Sequence, residues 1–462
     1  MFTAEVYRER RRTLIQTMTG GVILFPGNPE AAVNYSHNSY PFRQDSTFLY
    51  YIGIDRPGLA AVLDADSGET TLFGTNPSLD EVVWMGFQPA LNEMGTQVGV
   101  DSVQPIRQLP KILAQAYSEG RMVHYLPPYR GKVTLDLAKW LNEKPEIING
   151  GGSIKLIKAV VAQRSVKTGA ELEEIELALA LTRELHLTAM RMTRPGLKEA
   201  EVAGYMEGLV RARQRLLAYP VLFSIRGEVL HNLGHGNAMV SGALVLNDTG
   251  AESKLHYASD VTRTFPVSGE FTPTQKDLYE LVLAMQTKAI EQCRPGVPYR
   301  DIHLAAVRVL VEGLVSLGLM QGDPREAVAA GAHTLFFPHG LGHMLGLDVH
   351  DMENLGEEFV GYDDGIKRST RSGLEVLRFG RELEPGFVLT VEPGLYFIPA
   401  LINRWRMEDR GKEFIVFDRL DEFRSFGGIR IEDDIVITKT GCRVLGQPIP
   451  KTVAEIETLM GE

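Results

Sequence analysis

Four carboxylates and one imidazole stand out in the second half of the chain, each in a distinctive local sequence. Asp248 lies in Leu246-Asn247-Asp248-Thr249-Gly250 and Asp260 in Ser259-Asp260-Val261-Thr262-Arg263. His343 closes His339-Gly340-Leu341-Gly342-His343, Glu392 sits in Thr390-Val391-Glu392-Pro393-Gly394, and Glu432 in Arg430-Ile431-Glu432-Asp433-Asp434. Most of these acids are in or beside apolar, strand-like runs. A carboxylate buried there is costly unless it is paired or binds a metal. Meeting at one place, the five would form a hard, oxygen-rich site for two divalent cations.

Each residue also has a plainer reading. Asp248 and Asp260 flank a turn that contains glycine, so opposed hairpin strands can bring the two together. Otherwise Asp248 caps the turn and Asp260 faces solvent. His339, His343 and His350 place three of the chain's 11 histidines in 12 positions. Imidazoles serve as ligands, proton shuttles or oxyanion donors. Zinc-finger spacing is excluded, because no cysteines accompany them. Glu432 lies in the run Ile429 to Ile437, read as one strand with Arg430 and Glu432 opposite Ile429 and Ile431. An ordinary polar strand face explains it equally. The segment 352–385 carries Lys367, Arg368, Arg371, Arg378 and Arg381, and a solvated basic loop is its simplest reading.

The elements that must position these residues fall into two regions. Residues 1 to about 160 alternate short strands (22–25, 47–51, 59–63, 70–73) with helices (111–117, 135–143), and contain no phosphate-binding glycine loop. A long helix then opens with the capping-box pair Thr168 and Glu171, runs to about Met192 and stops at Arg194-Pro195-Gly196. A second helix follows to about Arg215, then strands carrying His231, Asp248 and Asp260. The order repeats: Thr272-Pro273-Thr274-Gln275 opens a helix that ends at Arg294-Pro295-Gly296, 100 residues after the first such tripeptide. A helix from Tyr299 to Leu317 and strands carrying His339, His343, Glu392 and Glu432 come next. Two helix-pair-plus-strand halves would form a curved sheet backed by helices; the plainer reading is that Pro-Gly ends many helices.

Composition narrows the classes. The chain has 462 residues, 44% of them hydrophobic and 23% charged, with a formal net charge of −11. That suits a globular protein of two or three domains. An acidic chain with no basic block gives no support to nucleic-acid or anionic-membrane binding. No apolar run is long enough to span a bilayer. Two cysteines, Cys293 and Cys442, argue for a reducing compartment, the cytoplasm by default.

Together the motifs resemble the pita-bread metallopeptidases, the family of methionine aminopeptidase, aminopeptidase P and prolidase. His-Gly-Leu-Gly-His, Leu-Asp-Val-His-Asp, Val-Glu-Pro-Gly and Arg-Ile-Glu-Asp-Asp are similar to the proline-specific branch. Tyr40-Pro41-Phe42-Arg43-Gln44-Asp45-Ser46 resembles that branch's amino-terminal domain. The resemblance implies an α+β chain: an N-terminal α/β domain over 1–165, then a pita-bread catalytic domain over 166–462 with pseudo-twofold halves and a curved antiparallel sheet. It implies Asp248, Asp260, His343, Glu392 and Glu432 as ligands of two divalent ions, Mn²⁺ first with Co²⁺ or Zn²⁺ admitted, and Asp260 and Glu432 bridging. It gives His231, His339, His350 and Glu392 to catalysis, and His231, His350, Arg378 and Arg430 to substrate contact. The implied activity is that of an Xaa-Pro aminopeptidase, using hydroxide generated between the ions; the alternative is a prolidase, whose dipeptide carboxylate Arg378 would hold. A non-catalytic binding module and a creatinase-like, metal-free hydrolase are the other readings. Peptides with proline second are the expected partners, and a homo-oligomer, dimer or tetramer, is expected. One departure is the spacing of 12 between Asp248 and Asp260, where the family often has 11; the extra residue is placed in the turn at Ser253 to His256.

Overall fold

Val22-Ile23-Leu24-Phe25 has no polar side chain, and it forms the buried strand Val22–Pro26 inside a five-stranded sheet. That strand pairs antiparallel with Ala60–Asp64 and parallel with Val123–His124. Ala60–Asp64 pairs antiparallel with Thr70–Gly74, which pairs parallel with Ser102–Pro105. Leu24, Val62 and Phe73 from the sheet meet Leu113 and Leu137 from helices Leu109–Ser118 and Gly131–Leu141 in one core. The run expected as a strand at 47–51 is instead the helix Ser46–Tyr51, all of whose residues are buried. Its β-favouring side chains are overruled locally: the Asp45 carboxylate accepts from the Phe48 N–H at 2.8 Å and starts a helical turn.

The computed structural model describes residues 1–462 and divides into two units, Met1–Arg164 and Ser165–Glu462. None of its helices is long and apolar enough to cross a membrane.

The second unit carries the two halves anticipated from the repeated pattern. Thr168 and Glu171 complete a capping box for helix Gly169–Met192, followed by Glu199–Ala212. Thr272 and Gln275 do the same for Pro273–Gln292, followed by Tyr299–Ser316. After the first pair, Leu222–Ser224, Leu244–Asp248 and Thr262–Pro266 form an antiparallel sheet. After the second, Val388–Val391, Asp433–Ile437 and Cys442–Val444 form another, and Gly394–Tyr396 pairs with Gly428–Arg430.

Three expectations about these strands change. The run 429–437 is not one strand: it breaks at Ile431 and Glu432. The partner strand holds Pro393 at the matching place, and proline has no N–H to give a ladder. Register is continuous on both sides (Val391↔Asp433, Gly394↔Arg430), so Glu392 and Glu432 sit opposite each other across the gap. Asp260 lies just ahead of strand Thr262–Pro266, since Asp248 pairs with Thr262. His231, His339 and His343 are on loops, not strands. The turn assigned the extra residue holds His256 at φ 66°, a left-handed conformation that few non-glycine residues adopt.

Candidate metal centre and active site

All five expected ligands, and His231, His339, His350, Arg378 and Arg430 with them, line one cleft of ≈ 710 Å³ in the second unit. Asp260, His343 and Glu432 are buried, with one ligand atom from each within 4.8 Å of the others. His343 Nε2 lies 3.4 Å from Asp260 Oδ2 and 3.5 Å from Glu392 Oε1. Its Nδ1 donates to the Met344 carbonyl at 3.1 Å, which leaves Nε2 unprotonated in the neutral ring and facing the acids. The loop carrying His343 runs hard against strand Val388–Val391: a Cβ on Gly342 would lie 2.1 Å from the Thr390 carbonyl oxygen, so no larger residue fits there.

The acids outnumber the cations that reach them. Asp248 Oδ2 accepts from Arg430 Nη2 at 2.6 Å. Asp248 Oδ1 and Asp260 Oδ1 share the Tyr219 hydroxyl, at 2.6 and 2.5 Å, and its single proton satisfies one of them. Glu432 Oε2 accepts from the Thr262 hydroxyl at 2.5 Å. Burial pushes Glu432 well above the usual carboxylate range, and Asp260 and Glu392 add to it. Burial lifts Glu392 to about 7, against the pull of His343. Burial also raises Asp248, although Arg430 opposes it. Burial alone would lower His343, yet Asp260 and Glu392 raise it to about 9. Protons are thus drawn in where positive charge is short. Carboxylate oxygens with one imidazole are the donors that divalent cations take, so the residues present fit such a group.

Around this cluster the remaining expected residues differ in how firmly they are held. His339 donates from Nδ1 to the Gly340 carbonyl at 2.9 Å and accepts at Nε2 from the Tyr396 hydroxyl at 2.9 Å. Arg430 Nη1 in turn donates to Tyr396 at 2.8 Å. Burial, with Arg430 nearby, lowers His339 to about 3, so it stays neutral. His350 packs on His343, ring centroids 4.1 Å apart, and its Nδ1 lies 3.1 Å from Glu353 Oε2. The same Glu353 oxygen accepts from Arg378 Nη1 at 2.5 Å, and Glu357 lies 3.5 Å from that nitrogen. Arg378 is therefore not a solvated loop residue; it is 37% exposed on the cleft wall and linked through Glu353 to His350. His231 lines the cleft from an exposed loop.

Several supporting residues were not singled out by the sequence. Tyr219 and Tyr396 are the clearest; neither lies in a motif. Asp434 Oδ2 accepts from the Asp260 N–H at 3.0 Å, and the run of acids from Glu432 to Asp434 was its one signal. Gln286, midway along helix Pro273–Gln292, reaches Val391 O and Ile431 O, both at 3.3 Å, and Asp433 Oδ2 at 3.1 Å. One amide thus ties down the residues just before Glu392 and Glu432. Asp433 is itself neutralised by Arg263 and Lys451, each at 2.6 Å.

Known proteins are similar to this chain in sequence and fold. Residues 173–439 match the model of metallopeptidase family M24, and residues 7–124 match the aminopeptidase P N-terminal domain. The chain is 33% identical to the Xaa-Pro dipeptidase of Homo sapiens, over 98% of this chain and 91% of that one. It is 32% identical to the Xaa-Pro aminopeptidase of Escherichia coli, over 98% and 97% respectively. Among solved structures, Pseudomonas aeruginosa aminopeptidase PepP superposes with a TM-score of 0.81 at 32% identity, covering 100% of this chain and 98% of that one. E. coli aminopeptidase P gives 0.82 at 30%, with the same coverage. The α+β pita-bread fold expected from the motifs is the fold of these neighbours. The paired helix-and-strand halves, the buried acid cluster and matches along the whole chain agree: this chain belongs to metallopeptidase family M24, the hydrolases that include the Xaa-Pro aminopeptidases and Xaa-Pro dipeptidases.

Proposed function

We propose that the chain hydrolyses the bond between an N-terminal residue and a following proline, with two divalent ions held by Asp248, Asp260, His343, Glu392 and Glu432. The buried acid cluster, short of positive charge at its centre, carries this reading. Asp260 and Glu432 would each bridge both ions. Mn²⁺ is the ion proposed, and Co²⁺ or Zn²⁺ suits the same donors. Such ions, when bound, make water acidic enough to ionise at neutral pH and polarise the carbonyl. The same cluster weighs against a metal-free or purely binding role.

The chain's own groups supply the rest. Glu392, less buried than Glu432 and open to the cleft, takes the proton of the attacking water and passes it to the leaving proline nitrogen. That nitrogen carries no N–H in the substrate, so recognition falls on ring shape and on the cleft histidines. His350 and His231 contact substrate; beside them His339 is kept neutral by burial and Arg430 and is oriented by Tyr396 and Gly340. Arg430 orients Asp248 and Tyr396. Catalysis is assigned to 166–462, in the cytoplasm. A homo-oligomer, dimer or tetramer, is supported by helix Leu79–Met85, which leaves Leu79, Val83, Trp84 and Met85 70–85% exposed.

Arg378 favours dipeptides over the longer peptides expected from the sequence. A dipeptide places its carboxylate next to the proline ring, and a fixed guanidinium pairs with it. A tripeptide offers an amide there and gains little. The test is hydrolysis of an Xaa-Pro dipeptide against an Xaa-Pro-Yaa tripeptide, with added Mn²⁺. Preference for the dipeptide supports the prolidase reading; preference for the tripeptide restores the aminopeptidase, and cleavage of neither removes the proposal.

A further inference from the structure

The chain's two cysteines lie outside the cleft, yet they meet at one backbone carbonyl. Cys293 caps the C-terminal end of helix Pro273–Gln292, and its N–H donates to Ile290 O at 3.1 Å. The Cys442 thiol donates to the same oxygen at 3.2 Å. The Cys293 thiol donates one carbonyl earlier, to Ala289 O at 3.3 Å. Cys442 opens the edge strand Cys442–Val444 and pairs with Ile437 on the neighbouring strand. Cys293 is buried and Cys442 half-buried. Each thiol is the first influence on the other's proton affinity, Cys293 being pushed up and Cys442 down.

We propose that Cys293 and Cys442 form an oxidation site, at which a peroxide joins them in a disulfide that staples helix Pro273–Gln292 to the strands following Glu432. Cys442 is the accessible partner and the one more readily ionised. Its sulfur takes one peroxide oxygen as the O–O bond breaks, giving a sulfenic acid and, with the thiol proton, one water. The Cys293 sulfur then displaces the sulfenic hydroxyl, which leaves with the Cys293 proton as a second water. The sulfurs lose two electrons, and hydrogen peroxide gains them. Cysteines with no such neighbour are instead carried further up the oxidation ladder.

The staple joins elements that already hold the site. Gln286, on the same helix, fixes the backbone before Glu392 and Glu432. Strand Asp433–Ile437 starts directly after Glu432 and pairs with the strand of Cys442. A crosslink between parts already in contact restricts the unfolded chain and leaves the cleft residues where they are. Oxidised protein therefore keeps its peptidase rate and resists heat better.

The experiment treats the metal-loaded full-length protein with a small excess of hydrogen peroxide, then digests it without reductant for mass spectrometry. The expected result is a Cys293–Cys442 peptide pair within one chain and loss of both free thiols. Tm should rise by roughly 5 °C or more, reversed by a dithiol. Cys442→Ser should give no crosslink and no rise. Sulfinic or sulfonic acid at either cysteine without a crosslink, crosslinks between chains, or a crosslink with no gain in Tm would each overturn the proposal. The wild-type chain alone supplies the crosslink readout, so the test holds whether or not the variant folds.

Discussion

Strands Ala60–Asp64 and Leu244–Asp248 are five residues long, open with at least three apolar residues, and each ends on an aspartate. Their aspartates behave in opposite ways. Asp64 sits at a turn, where Ser67 and Asp66 donate backbone N–H groups at 3.1 and 3.0 Å and Arg121 donates at 2.6 Å. Burial alone would raise its carboxyl, and those donors together outweigh it and hold the group below the usual range. Asp248 is buried, shares one phenol proton with Asp260 and is pushed up. A strand sequence therefore does not by itself mark an acid as structural or functional. What meets the strand end decides it: donors in the first unit, further carboxylates in the second.

The largest effect expected from breaking this contrast is at the centre of the acid cluster. Asp260→Ala or Glu432→Ala should abolish peptidase activity and lower bound metal; a normal rate with normal metal content in either variant would refute the site. The flanking histidines should separate from the ligands. His350→Ala and His231→Ala should keep the metal and lose about 10²–10³-fold in kcat, the usual cost of one oxyanion-type donor. Metal analysis beside the kinetics checks the division. If either variant loses metal while His343→Ala retains it, ligand and non-ligand histidines have been exchanged.

Arg378→Ala should cost about 2–5 kcal/mol in kcat/KM on Xaa-Pro dipeptides, the range for losing one partner of a desolvated charge pair, and much less on tripeptides. Equal, small losses on both substrates would return Arg378 to a structural part with Glu353 and Glu357.

Chelation sharpens the comparison through pH. In the metal-stripped chain Glu392 has its folded pKa raised to about 7 and His343 to about 9. A carboxylate with a raised folded pKa ionises more readily when unfolded, so stability falls as pH rises between its unfolded value and about 7. A histidine with a raised folded pKa gives stability that is full below its unfolded value and lost as pH rises through about 9. Both trends have one sign. Buried His186, His303, His333 and His339, with folded pKa values lowered from 6.5, pull the other way at acidic pH whether or not metal is bound. The Tm of the stripped chain should therefore fall relative to that of the loaded chain as pH rises from mildly acidic to mildly alkaline. Asp64 has the reverse sign, since its folded pKa is depressed; its contribution is present above the unfolded value and lost as pH falls through the folded one. Asp64→Ala should be the mildest change, about 1 kcal/mol for a part-buried pair that solvent still reaches, with activity intact. Thermal melts of the variant check this.

The sequence revealed those parts of the molecule that rest on local pattern. Capping boxes at Thr168 and Thr272 marked the helices that start there. Apolar runs next to isolated acids marked the cluster, because burial makes such acids costly. What it concealed depends on partners far along the chain. Tyr219 meets Asp260 across 41 positions, and Asp434 meets the Asp260 N–H across 174. The break at Glu432 faces Pro393, in the gap between strands Val388–Val391 and Gly394–Tyr396, so reading 429–437 alone could not find it. At 47–51 the aromatic and β-branched residues pointed to a strand, and one capping aspartate outweighed them.

Whether the acid cluster is a two-metal centre is decided most sharply by metal content per chain. Elemental analysis would compare wild type with Glu432→Gln, each loaded with Mn²⁺ and desalted. Glutamine keeps the side chain's size and removes its charge. Two ions per chain are expected in the wild type, and in the variant at most one ion with no Xaa-Pro hydrolysis. Two ions held equally by both proteins, or none by the wild type, would contradict the assignment.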